Sequence, residues 1–184
     1  ARRLYWRAHS HAMAALNQSS PGFSAALAKP QATLWPKLRA EQVGVAYWAA
    51  ASWGAYIALS KDDPDAVADL PLAVRLAELA WRTSPDHGQG DLASLMGSFE
   101  AARPGGSMAK AAAFFDQAFA ISGAKSPGPL VAKAEAIAQA AGDRPAFEAL
   151  LKQALAVSAG RSDLSSQIMR QRAQWLLDSA DDLF

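Results

Sequence analysis

The chain has 184 residues, 51% of them hydrophobic, with a formal net charge of +1 and no cysteine. That length suffices for one domain with a sizeable core. Eighteen Lys and Arg interspersed with 17 Asp and Glu speak against a nucleic-acid surface, which needs clustered basic charge. The lack of cysteine excludes disulfides, thiolate nucleophiles and sulfur-ligated metals within these residues and leaves the compartment open.

About a quarter of the residues are alanine, a strong helical bias. A first helix is expected over residues 2–17, closed by the turn signal Ser19-Ser20-Pro21-Gly22. Ala1-Arg2-Arg3-Leu4-Tyr5-Trp6 reads as the inside of a helix with no cap before it and no visible signal peptide. The chain is therefore expected to begin at a truncation, whereas the acidic tail ending in Leu183-Phe184 reads as a natural terminus. Pro30 and Pro36 break residues 23–38 into short turns. A long helix follows over residues 40–60; Lys61-Asp62-Asp63-Pro64 ends it, and an acidic loop follows. Asp69 is placed to cap the next helix, at 70–83. Further helices are expected at 91–102, at 107–122 with Ser107 as cap, at 130–141, at 144–157, and from Ser162 or Asp163 to residue 179. No window alternates like a strand. The fold class is all-α with no sheet, and residues 1–184 read as a single helical domain.

One spacing recurs. Ala73, Ala77, Ala80 and Pro85 stand at steps of four, three and five; Ala111, Phe115 and Ala118, and Phe147, Leu151 and Ala154, repeat the first two steps. Trp53-Gly54 with Ile57, and Met96-Gly97 with Glu100, supply the matching signature of a partner helix. The pattern resembles a degenerate tetratricopeptide repeat, an array of helical hairpins in which each buries its face by stacking on neighbours.

Residues 43–60 carry no charge, the length at which a membrane helix must be considered. Ala, Gly and Ser dominate, and Tyr47, Trp48, Trp53 and Tyr56 lie mid-segment rather than at two interfaces, so a buried central helix is expected instead. The four aromatics are core packing on the plain reading. They are also the candidate lining of a pocket for an organic or hydrophobic ligand, because their polar tips need partners when buried. Arg172 shares a stripe of the last helix with Leu164 or Ser165, Ile168, Trp175 and Leu176, read here as the inward face. A guanidinium there needs a partner; Glu100, Asp116 or Glu135 would serve, or else an anionic ligand held by a bidentate contact. Arg103, beside Pro104-Gly105-Gly106, is read as a solvated loop residue with a lesser role as a ligand contact.

His9 and His11 lie about 200° apart around a helix and cannot share a metal. The Asp62, Asp63, Asp65 and Asp69 run lacks the glycine and glutamate of a calcium loop and reads as capping and solvation. No nucleophile elbow, Walker loop or dinucleotide fingerprint occurs. Neither an enzyme nor a cofactor is indicated.

Three longer segments resemble one family. They are Ala46-Tyr47-Trp48-Ala49-Ala50-Ala51-Ser52-Trp53-Gly54 leading to Asp62-Asp63-Pro64-Asp65 and Asp69-Leu70-Pro71; Met96-Gly97-Ser98-Phe99-Glu100 with Arg103-Pro104-Gly105-Gly106; and Arg170-Gln171-Arg172-Ala173-Gln174-Trp175-Leu176-Leu177 with Asp182-Leu183-Phe184. Together with Phe114-Phe115 and Ile121-Ser122-Gly123 they resemble the T component of tripartite ATP-independent periplasmic (TRAP) transporters, from about Leu4 to the C-terminus. The resemblance implies a tetratricopeptide-like periplasmic lipoprotein, anchored at the membrane by a lipid on a longer precursor. It implies a non-enzymatic partner for the periplasmic solute-binding protein of a solute importer. Two positions depart from the family's pattern: Ala77 stands where a bulky aromatic is usual, and Gln171 where a first arginine precedes Arg172. The competing readings are a small-molecule carrier using the aromatic interior and a generic tetratricopeptide adaptor; a homo-oligomer is compatible with each.

Overall fold

A computed structural model describes all of residues 1–184. Every regular element is helical, as the sequence predicts. The chain divides into two compact units, Ala1–Gly88 and Gln89–Phe184, each with its own core.

In the first unit α1 (Arg2–Ser19) and the short α2 (Phe23–Leu27) precede two single 3-10 turns, Ala32–Leu34 and Ala40–Gln42. These lead into α3 (Val43–Ala58), α4 (Pro64–Ala68) and α5 (Leu70–Thr83). The α3 helix packs against both α1 and α5. Its side toward them is built from small residues, with Ala46, Ala49 and Ala50 fully buried. The α5 side that buries itself is Ala73, Leu76, Ala77 and Ala80, so three members of the recurring spacing have no exposure at all. Small side chains at steps of four and three let helix backbones approach closely, and the larger Leu16, Phe23, Leu27 and Leu76 fill the space between.

The second unit comprises α6 (Asp91–Ala102), α7 (Met108–Ile121), α8 (Gly128–Lys133), α9 (Arg144–Ser158), α10 (Leu164–Asp178) and the terminal turn α11 (Ala180–Leu183). The α6 and α7 helices form a hairpin, and α9 packs on both α8 and α10. Ala111, Phe115 and Ala118, like Phe147, Leu151 and Ala154, are all essentially fully buried. The recurring spacing therefore marks the contact stripe of three separate helices. Gly97, in the middle of α6, shows why the pattern includes a glycine. A Cβ there would lie 2.9 Å from Phe115 Cε1 and 3.1 Å from the Ala111 carbonyl oxygen, so α7 can approach only where α6 has no side chain.

Three local expectations need correction. The acidic stretch beyond Asp63 is not a loop: Asp63 caps α4, its Oδ1 accepting the Asp65 and Ala66 amides, with Pro64 at the first helical position. Asp69, the expected cap, makes no side-chain capping bond. Between Ala134 and Gln139 the helix begun by α8 widens into a π-helical turn, which hydrophobic periodicity does not announce. The caps expected of Ser107 and Asp163 are in place, on Lys110 N and Ser166 N.

Candidate functional site

The aromatics of α3 separate onto two faces. Trp53 is 6% exposed and meets His9 of α1, ring centroids 4.2 Å apart; Tyr56 meets Trp6 at 4.9 Å, and Trp6 meets His9 at 5.4 Å. Tyr47 lies against Trp48 at 5.1 Å and His87 at 5.7 Å, and Trp48 is 66% exposed. A charge-free helix buried on all sides was expected; α3 instead turns Trp48 to solvent. The four candidates thus belong to two groups, each completed by residues the sequence reading did not select: Trp6 and His9 in one, His87 in the other. The local signal for the first group is Trp6-x-x-His9 on α1, three apart and so on one helical face.

His9 is the ionisable member of the inner group. Its Nδ1 lies 3.1 Å from the Ala49 carbonyl oxygen, which can only accept, so Nδ1 carries the proton and Nε2 offers a lone pair. Burial pushes the imidazole below its ordinary value, and the neutral form is held at pH 7. Next to it the Trp53 Nε1–H is buried and donates to no protein atom. An unpaired indole N–H in a packed interior is unusual, because its desolvation goes uncompensated. The group therefore combines close, tilted aromatic rings with one unused donor.

Arg103 is not a free loop cation. It forms a two-pronged pair with the nearly buried Glu100, Nε to Oε2 at 2.8 Å and Nη2 to Oε1 at 2.9 Å, and Glu100 Oε1 also accepts the Ser107 amide at 2.9 Å. The Arg103 guanidinium, with the Ser107 amide, holds the Glu100 carboxyl below the usual carboxylate range. Together they brace the α6–α7 turn, where a Cβ on Gly106 would fall 1.9 Å from the Glu100 carbonyl oxygen.

Arg172 also stands elsewhere than expected. The inward face of α10 is Ser166, Ala173 and Leu176, while Leu164, Ile168 and Trp175 point outward with Arg172 among them. Of the stripe expected inward only Leu176 is buried; the rest faces solvent, because α10 is apolar on two opposite sides. The expected acidic partner is Glu135, in the π-helical turn, and the Arg172 guanidinium lies 4.6 Å above the Trp175 ring. The six candidates are accordingly not gathered into one site.

No helix is long and apolar enough to cross a membrane, and no group of three or more His, Cys, Asp or Glu is placed to hold a metal ion. A protein of Treponema pallidum (strain Nichols), described as uncharacterized, is 27% identical over 194 aligned positions, which take in all of this chain and 60% of that protein. The chain thus spans less than two thirds of that relative's length. A family model described as TRAP transporter T-component matches residues 1–184, and the chain belongs to that family of TRAP transporter accessory components.

Proposed function

We propose that this chain serves a TRAP-type importer as a helical scaffold that docks the transporter's periplasmic solute-binding protein. The observation carrying this reading is the family match over the whole chain. Stacked helical pairs with exposed outer faces are the kind of surface on which such docking occurs. The work is done in the periplasm, with the lipid anchor on a longer precursor. The test is a binding titration between this protein and the solute-binding protein of its own transporter, by calorimetry or pull-down. Saturable binding is expected; none with the processed full-length protein would overturn the proposal.

A second reading is favoured by one observation, the buried Trp53 Nε1–H without a partner. In this reading the group of Trp6, His9, Trp53 and Tyr56 takes up an organic ligand bearing an acceptor atom, and the protein passes it on. Native mass spectrometry of freshly purified protein tests it. A co-purifying small molecule lost in Trp53→Phe, which removes the donor and keeps most of the ring, supports carriage. Protein of bare chain mass under several gentle conditions removes the reading.

A further inference from the structure

The seam between α1 and α3 holds polar atoms that the fold itself leaves unused. The buried side-chain polar atoms without a partner in this chain are Trp53 Nε1 and Ser60 Oγ, seven residues apart and so on one stripe of α3 and the turn that follows it. Trp53 and His9 are each 6% exposed, and their ring centroids lie 4.2 Å apart. The Nδ1–H of His9 is committed to the Ala49 carbonyl, and its Nε2 lone pair has no protein partner. One donor and one acceptor thus stand on adjoining rings, at a separation that a small head group can span. Unpaired, both carry a desolvation cost that neither helix recovers.

The charges around this pair decide what the head group can be. Neither α2 nor α3 carries a charged residue. On α1, Arg3, Arg7 and His11 project about 120° or more around the helix from His9. Arg2 shares the stripe of His9 but stands two turns away and faces Asp62 at 4.0 Å. The charge whose field reaches the imidazole is that of Asp69, an acid. A carboxylate would therefore enter without a counter-charge and against a like one. An ammonium has no lone pair for the Trp53 N–H. A hydroxyl meets both nitrogens, because it accepts and donates through one oxygen. Extending the carrier reading on which this rests, we propose that the Trp6, His9, Trp53 and Tyr56 group binds an uncharged alcohol, its hydroxyl accepting from Trp53 Nε1–H and donating to His9 Nε2.

The apolar body of the ligand lies against Trp6 and Tyr56, whose ring centroids are 4.9 Å apart. Trp6 is 45% exposed, so it is the side chain that yields as the ligand enters and the ring that covers it afterwards. A water molecule satisfies the same two nitrogens and leaves these ring faces bare. An alcohol makes the same bonds and takes the ring faces out of water as well.

Four probes of one chain length test this at pH 7: 1-octanol, octanoate, octylamine and octyl methyl ether, which accepts but cannot donate. Each is titrated into nitrogen-15-labelled protein up to its solubility limit. The Trp53 indole N–H signal, identified by its loss in Trp53→Phe, is followed, with calorimetry for affinity. Octanol is expected to move that signal and to bind at least tenfold more tightly than each of the other three, an advantage lost in Trp53→Phe. If that variant misfolds, the order of the four probes on the unaltered protein decides by itself. Octanoate binding as tightly as octanol would overturn the alcohol class, and so would an ether equal to it. Octanol binding with the Trp53 signal unmoved would place the alcohol elsewhere, and no binding of octanol would mean that water alone serves the two nitrogens. In each of these cases a co-purifying molecule lost in Trp53→Phe would leave the carrier reading standing, so the two fail separately.

Discussion

Gly97→Ala is the sharpest test of the idea that the recurring spacing records close helix approach. In an unconstrained helix centre this change stabilises by about 1 kcal/mol, because alanine loses less backbone entropy. Here the new methyl carbon would sit 2.9 and 3.0 Å from two ring carbons of Phe115 and 3.1 Å from the Ala111 carbonyl oxygen. Phe115 is 1% exposed and cannot swing away, and the carbonyl belongs to the α7 backbone. The helices must separate by a few tenths of an ångström or Phe115 must leave its rotamer, an overpacking cost of about 1–3 kcal/mol. The net expectation is a loss of about 0–2 kcal/mol, or up to about 8 °C in thermal midpoint at 2–4 °C per kcal/mol. Gly44→Ala in α3 is the control: its Cβ would lie 3.6 Å from His87 Cε1, an ordinary contact, so the midpoint should hold or rise slightly. Adding Phe115→Leu to Gly97→Ala should recover part of the loss, a coupling that independent sites would not show. Thermal unfolding followed at 222 nm reads all five proteins, Phe115→Leu alone completing the cycle. A clear rise in midpoint for Gly97→Ala would refute the reasoning, because it would mean α7 does not need the missing side chain.

Acid should expose His9 before any carboxylate. Its folded-state value lies below the ordinary 6.5, so its contribution is complete above pH 6.5 and declines as pH falls toward the folded value. The shifted carboxylates Glu41, Glu100, Glu148 and Asp163 start from 4.5 or 3.8, so a midpoint that declines between pH 6.5 and 5 and becomes flat in His9→Gln identifies the imidazole; an unchanged slope would contradict this. Arg75 ties α5 to the chain after α2, its Nη1 donating to the Leu27 and Lys29 carbonyls at 2.5 and 2.8 Å while the guanidinium lies 4.5 Å over Trp35. Arg75→Lys keeps the charge but loses the planar stacking and shortens the reach to the two carbonyls. It should cost about 1–2 kcal/mol and quicken amide exchange after α2, whereas a loss below about 0.3 kcal/mol would mean the latch is idle.

What could be read in the sequence, and what could not, follows from the range of the interactions. The buried triplets Ala73, Ala77 and Ala80; Ala111, Phe115 and Ala118; and Phe147, Leu151 and Ala154 are set by helical geometry alone, so counting residues finds them. Which way Trp53 and Tyr47 face is set by His9 of α1 and by His87, about forty residues away in each direction, and a helix with no charged residue gives periodicity nothing to orient by. The spacing of His9 to His11 excludes a shared metal and says nothing more of it; the role of His9 depends on the Ala49 carbonyl, which no spacing reveals. Asp63-Pro64 was a legible signal misread, since an aspartate before proline marks a helix start as well as a stop.

The α10 helix is the most instructive failure. Ser166, Ala173 and Leu176 are small or shared with the outward candidates, while Leu164, Ile168 and Trp175 are bulky, so any hydrophobic ranking selects the bulky side as core. The structure buries the small side because its neighbours are the closely stacked α8 and α9, where close approach matters more than apolar area. The rule that small residues mark contact stripes in this chain, applied to α10, would have chosen the correct face. It also leaves the bulky face without an internal partner, and an apolar stripe that the fold does not need for its own packing is where a binding surface should be sought.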